Sequence, residues 1–148
     1  MKAEDDPGWS SYSDIILQLR RDRSLVIDLR RPITTAQQAV LEATGLGKQF
    51  AIVTAHNPRG QPASAHQNEV LEGQLQQSIA TTGVKWVHAD GVSPDGRHRE
   101  SGVAVRMPCR RAREIAREFN QSALFWYSHG AMWLVGALVN VKSVRLPR

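Results

Sequence analysis

The sequence predicts an α+β domain: an antiparallel sheet with two helices on one face, in the ferredoxin-like order β-α-β-β-α-β. Three observations predict it. Short runs rich in apolar and β-branched residues recur at 50–55, 84–88, 103–107 and 123–127. Two segments between them, beginning near Asn68 and at Cys109, place apolar residues at helical spacing. The connections hold turn formers: Pro58, Gly60 and Pro62 in one, Gly83 in the next, Pro94-Asp95-Gly96 in a third.

Taken in order, residues 1–11 read as a loose acidic tail. Ser13 or Asp14 caps a short helix carrying Ile15, Ile16 and Leu19. Leu25 to Leu29 is a strand, ended by Arg30, Arg31 and Pro32. Thr34 or Thr35 caps a helix to about Ala43, with Gly45 as its stop. Together, 1–48 form an N-terminal α/β extension packed on the body, and 49–148 form the main domain. There, Phe50–Ala55 is the first strand and 56–64 a loop. Asn68 and Glu69 open a helix with Leu71, Leu75 and Ile79 on one face. Val84–His88 is the second strand and 90–101 a polar loop. Val103–Met107 is the third strand, and Cys109–Phe119 a helix with Ala112, Ile115 and Ala116 inward. Ala123–Tyr127 and Met132–Val135 make a hairpin, and 141–146 adds an edge strand.

The 148 residues, 41% apolar and 22% charged, suit one folded domain and not a disordered chain. No apolar run approaches the roughly 20 residues of a membrane span, and the start MKAEDDPGW lacks a secretory pattern. The expectation is a cytoplasmic protein with no membrane partner. The formal net charge of +5 favours anionic partners, either a small anionic ligand or nucleic acid. One cysteine, Cys109, excludes an intrachain disulfide. A helix start and nearby arginines lower a thiol pKa, although a residue of the cap region is the plainer reading. No cofactor signature and no metal-ligand spacing among the five histidines is present.

In the split βαβ order the exit of the first strand lies beside the entry to the third. That juxtaposition makes His56, Glu69 and Glu100 candidate catalytic groups. Thr54, Asn57, Arg59, Asn68, Arg97, His98 and Ser101 are candidate ligand-binding groups. A histidine beside a carboxylate exchanges protons near neutral pH. Asparagine amides read polar edges, and arginine forks suit phosphate or carboxylate. Each residue also has an ordinary role: Asn68 as a cap, Glu69 in a first turn, Pro94-Asp95-Gly96 as a turn. Phe125-Trp126-Tyr127 alternates across its strand, so one face is core and the other can stack a base if the sheet is open there. Alternatives are a nucleic-acid-associated module or an interaction domain. The sequence does not fix an oligomeric state.

Several motifs within 50–127 resemble a bacterial family, domain of unknown function 3293. They are Thr54-Ala55-His56-Asn57-Pro58, Asn68-Glu69, Gly91-Val92-Ser93-Pro94-Asp95-Gly96 followed by Glu100, and Phe119-Asn120-Gln121-Ser122-Ala123. The chain departs from that family's pattern at Glu72, where an asparagine is usual. The resemblance implies a domain identity and no particular reaction.

Overall fold

A computed structural model of the protein describes residues 1–20 and 24–148. It is a mixed helix and strand structure built on one antiparallel sheet. The strands are β1 (Ile16–Arg20), β2 (Ser24–Asp28), β3 (Gln49–Thr54), β4 (Trp86–Val92), β5 (Arg99–Glu100), β6 (Gly102–Val105), β7 (Ala123–Ser128), β8 (Ala131–Gly136) and β9 (Val144–Leu146). They lie in the order β2-β1-β4-β6-β3-β7-β8-β9, with β5 also paired to β4. The helices are α1 (Thr35–Leu41), α2 (Ala65–Ala80) and α3 (Cys109–Glu118).

Side chains alternate across each strand, and both faces are used. Ala51 and Val53 of β3 and Val103 and Val105 of β6 pack with Leu75 and Ile79 of α2 and Ala112, Ile115 and Ala116 of α3. The other face holds Phe50, Ile52, Ala104 and Tyr127, covered by Leu41, Leu46, Trp9 and Tyr12. Phe50 and Tyr127 stack there at 4.7 Å. The face that a base-stacking sheet would leave open is therefore filled by the protein's own residues, and Tyr127 is buried.

Four sequence expectations change. Residues 16–20 form a strand instead of a helix. Leu17 and Leu19 are buried while Gln18 between them is not, a period of two, and β1 pairs with β4 through Leu17↔Gly91 and Leu19↔Ala89. Pairing along β4 outweighs the weak local helix signal. Residues 1–11 are not a loose tail: two short 3-10 helices, Ala3–Asp5 and Trp9–Asp14, run through them. Trp9 and Tyr12 anchor them, edge to face at 5.7 Å. Helix α2 starts at Ala65, ahead of Asn68, because Ser64 and Gln67 form a reciprocal capping box, each backbone N–H donating to the other's side chain. The polar loop at 90–101 shrinks to a turn at 93–98, since β4 runs on to Val92 and is paired on both sides, with β1 and β5.

The first and last of these changes put β1, β4 and β5 side by side, and period-two alternation then separates Arg99 from Glu100. Arg99 turns to one face, where it donates to the buried carboxylate of Asp90 (2.8 Å) and to Gln18 (3.0 Å). Glu100 turns to the other, toward the loop that follows β3.

Candidate functional site

The exit of β3 and the entry to β6 are neighbours, as the pairing Thr54↔Gly102 shows. Thr54 Oγ1 donates to the Ser101 carbonyl (2.7 Å) and accepts from the His56 N–H (3.1 Å). Asn57 is the hub. Its Nδ2 donates to Glu100 Oε1 (2.8 Å), and its Oδ1 accepts from the Ala63 N–H (3.0 Å) and from Asn68 Nδ2 (3.0 Å). Its own N–H donates to Asn68 Oδ1 (2.9 Å). The left-handed backbone of Asn57, φ 48°, aims these groups inward, and asparagine tolerates that region better than most residues.

His56 Nε2 lies 3.4 Å from Glu72 Oε2, and Gln76 Nε2 holds the other Glu72 oxygen at 3.1 Å. Asn68, Glu72 and Gln76 are spaced four apart, which aligns them on one face of α2. From the β7 side, Gln121 Nε2 donates to the His56 carbonyl (3.1 Å), and the Arg59 N–H donates to the Asn120 carbonyl (2.7 Å).

The N-terminal segment completes the cluster. Asp6 is only 3% exposed and accepts from the Gly8 N–H (2.7 Å) and the Tyr12 hydroxyl (2.5 Å). It sits on Gly60, at φ 73°, where any side chain would collide with the carboxylate. Burial, then the hydrogen bond and charge of Asp6, push the Tyr12 phenol far up, so Tyr12 remains a proton donor.

The Glu100 carboxyl is also raised, first by burial and further by Asp6, against the Asn57 hydrogen bond and the pull of His56 and His98. The folded chain thus keeps this proton at a pH where the unfolded chain has lost it. The stability from Glu100 is full below the ordinary carboxyl value and falls as pH rises through the folded value. Glu100→Gln keeps an oxygen for Asn57 and removes the titration. In urea unfolding between about pH 4 and about pH 7, the variant is expected to gain on the wild type as pH rises. An unchanging gap would assign Glu100 no raised pKa.

Of the residues expected from sequence, His56, Asn57, Asn68 and Glu100 come together, with Thr54 and Ser101 beneath them. Glu69 does not join: it is exposed. Arg59 and Arg97 are exposed, and among the described residues only their backbone N–H groups find partners. His98 is exposed and reaches Glu100 only through its charge. Sequence reasoning missed Asp6, Tyr12, Glu72 and Gln121 as site groups. The four-residue spacing from Asn68 could have given Glu72, and the Asn120-Gln121 motif could have given Gln121. Burial raises the Cys109 thiol pKa despite the opposing pull of Arg113, contrary to the lowering expected from its position.

A family model described as Protein of unknown function (DUF3293) matches residues 53–124. Residues 53–124 belong to the DUF3293 family. The DUF3293 segment contains Thr54 to Asn57, Asn68, Glu72, Glu100 and Gln121, while Asp6 and Tyr12 come from outside it. No curated protein and no solved structure matches the chain. Among the described residues, no group of three or more His, Cys, Asp or Glu is arranged to hold a metal ion. No helix there is long and apolar enough to cross a membrane.

Proposed function

We propose that the DUF3293 segment binds a small polar ligand at the rim formed by His56, Asn57, Glu72 and Glu100, with Tyr12 and Asp6 over it. The observation that carries this reading is strain. Among the described residues, four non-glycine residues have positive φ, and Asn57, Arg59 and Asn120 are three of them. The Arg59–Asn120 hydrogen bond links the two loops that hold them. Such conformations cost about 1–3 kcal/mol each and gather where a site must be shaped. Arginine has none of asparagine's tolerance for that region, so Arg59 is the most telling of the three.

The groups nearest the centre are carboxyls, a phenol, an imidazole and amides. They suit a ligand presenting hydroxyl or amino donors, so a nucleotide-like ligand fits by its ribose or base edge. Its phosphate would face outward, toward Arg59 and Arg97. Burial favours the protonated form of the Glu100 carboxyl, the form that can donate a hydrogen bond, and the His56–Glu72 pair offers ring nitrogen and carboxylate oxygen beside it. The ferredoxin-like reading of the core belongs to the same proposal. The order β4-β6-β3-β7, antiparallel throughout, with α2 and α3 sharing one core cluster, supports it.

Thermal-shift titrations with adenosine, AMP and free ribose test the proposal. A ligand at about 100 times its Kd adds roughly 2.7 kcal/mol, a rise of several degrees in Tm. The expected result is a rise with adenosine or AMP that Glu100→Gln and His56→Ala each reduce. No rise with any probe, or a rise that neither variant changes, would overturn it.

A further inference from the structure

The opposite end of the sheet has a different character. A groove of about 460 Å³ opens there between β7 and the start of α3, lined by Gln49, Arg106, Met107, Pro108, Cys109 and Trp126. Trp126 is half-buried. Directly across the hairpin lies Trp133, also half-buried and on the same face, and Arg145 lies across from Trp133 on β9. Directly opposed cross-strand residues stand about 5 Å apart at Cβ, so the two indoles and Arg145 form a row leading from the groove. Arg113 on α3 is close enough to Cys109 for its charge to act on the thiol. Among the described residues, no carboxylate lines the groove. Among the described residues, Arg106, Arg113 and Arg145 make no ion pair, whereas Arg110 and Arg111 are paired with Glu114.

We propose that this groove binds single-stranded nucleic acid, with a base stacked on Trp126 and the backbone phosphates held by Arg106, Arg113 and Arg145. Cations beside part-exposed aromatic rings on a concave surface are what a flexible polyanion with flat bases requires. An acidic peptide would use the arginines and leave the indoles without a role. A duplex has no free base face to stack on Trp126. The site lies on the helix-covered side of the sheet, since the opposite face is closed by Phe50, Tyr127 and Leu41.

The test is fluorescence anisotropy of a labelled oligothymidylate of about 12 nucleotides, a length within the usual single-strand site sizes, with the full chain at low salt. Affinity should fall with salt at a log–log slope of about −2, for about three phosphates at 0.7 each. Trp126→Ala should weaken binding by about five- to 150-fold, the range for one stacked base. Arg106→Gln should shallow the slope by about 0.7. Arg31→Gln, an equal loss of charge beyond β2 at the far edge of the sheet, should change neither. Arg106 is exposed, so its variant reports even if Trp126→Ala unfolds. Cys109 is the chain's single thiol and lines the groove, so bound oligonucleotide should slow its alkylation. The proposal is overturned by no binding at low salt, by wild-type affinity in both groove variants, or by thymidine monophosphate or a duplex binding as tightly as the strand. Unslowed alkylation at saturation would equally overturn it.

Discussion

Gly102→Ala is expected to destabilise the protein by about 3 kcal/mol, at the upper end for overpacking. Gly102 opens β6 between β3 and β4, in the middle of the sheet. A Cβ built there meets the Val53 carbonyl oxygen at 2.6 Å and the Ala89 carbonyl oxygen at 3.1 Å. Both obstacles are backbone atoms of paired strands, so neither can rotate aside as a side chain would. Relief requires parting β6 from β3 or β4, which breaks a ladder beside Thr54 or Glu100. In urea unfolding the midpoint should drop with the slope unchanged, and Tm should fall by roughly 6–12 °C. Gly73→Ala is the matched control. Gly73 is exposed in α2 with nothing near its absent Cβ, and alanine there should add about 0.5–1 kcal/mol. Equal stability of Gly102→Ala and wild type would mean that the strands are not so closely spaced at this point.

Asn57→Ala is expected to cost about 3–4 kcal/mol. The change removes the acceptor of the Ala63 N–H and of Asn68 Nδ2, and the donor to Glu100. Each part-buried group left without a partner costs about 1–3 kcal/mol at most, and some recover water at the rim. Alanine also pays about 1–2 kcal/mol for the left-handed backbone. Asn57→Gly loses the same side chain without that backbone term, so it should be the milder variant by about 1 kcal/mol. Hydrogen exchange at the Ala63 amide separates the causes: it should quicken in both variants. An amide still protected in Asn57→Ala would show that its partner is not the Asn57 side chain.

Both predictions depend on a rim that joins residues more than 40 positions apart, and the sequence showed part of it. The strand-forming runs at 50–55 and 103–107 and the Pro94-Asp95-Gly96 turn were legible because they follow from local propensity. So was a threonine cap at 34 or 35; in the structure it is Thr34, whose side chain accepts from the Gln37 N–H. From their order alone came the meeting of Asn57 with Glu100, since short antiparallel connections leave few ways to lay four strands side by side. The first helix was misread because Ile15-Ile16-Leu17-Gln18-Leu19 satisfies helical and strand spacing about equally well over so few residues. The open edge of β4 then decided between them.

Local preferences of the chain are enough for the main helices and strands of the body and for which two loops share an end of the sheet, because turns and alternating apolar runs encode these locally. The tertiary structure alone decided that Glu72 and not Glu69 faces His56, which depends on the rotation of α2 against the sheet. It alone decided that Asp6 and Tyr12 close over Glu100, and that Trp126, Trp133 and Arg145 form one row. Those contacts arise from packing and register between distant segments, where no local preference of the chain distinguishes one partner from another.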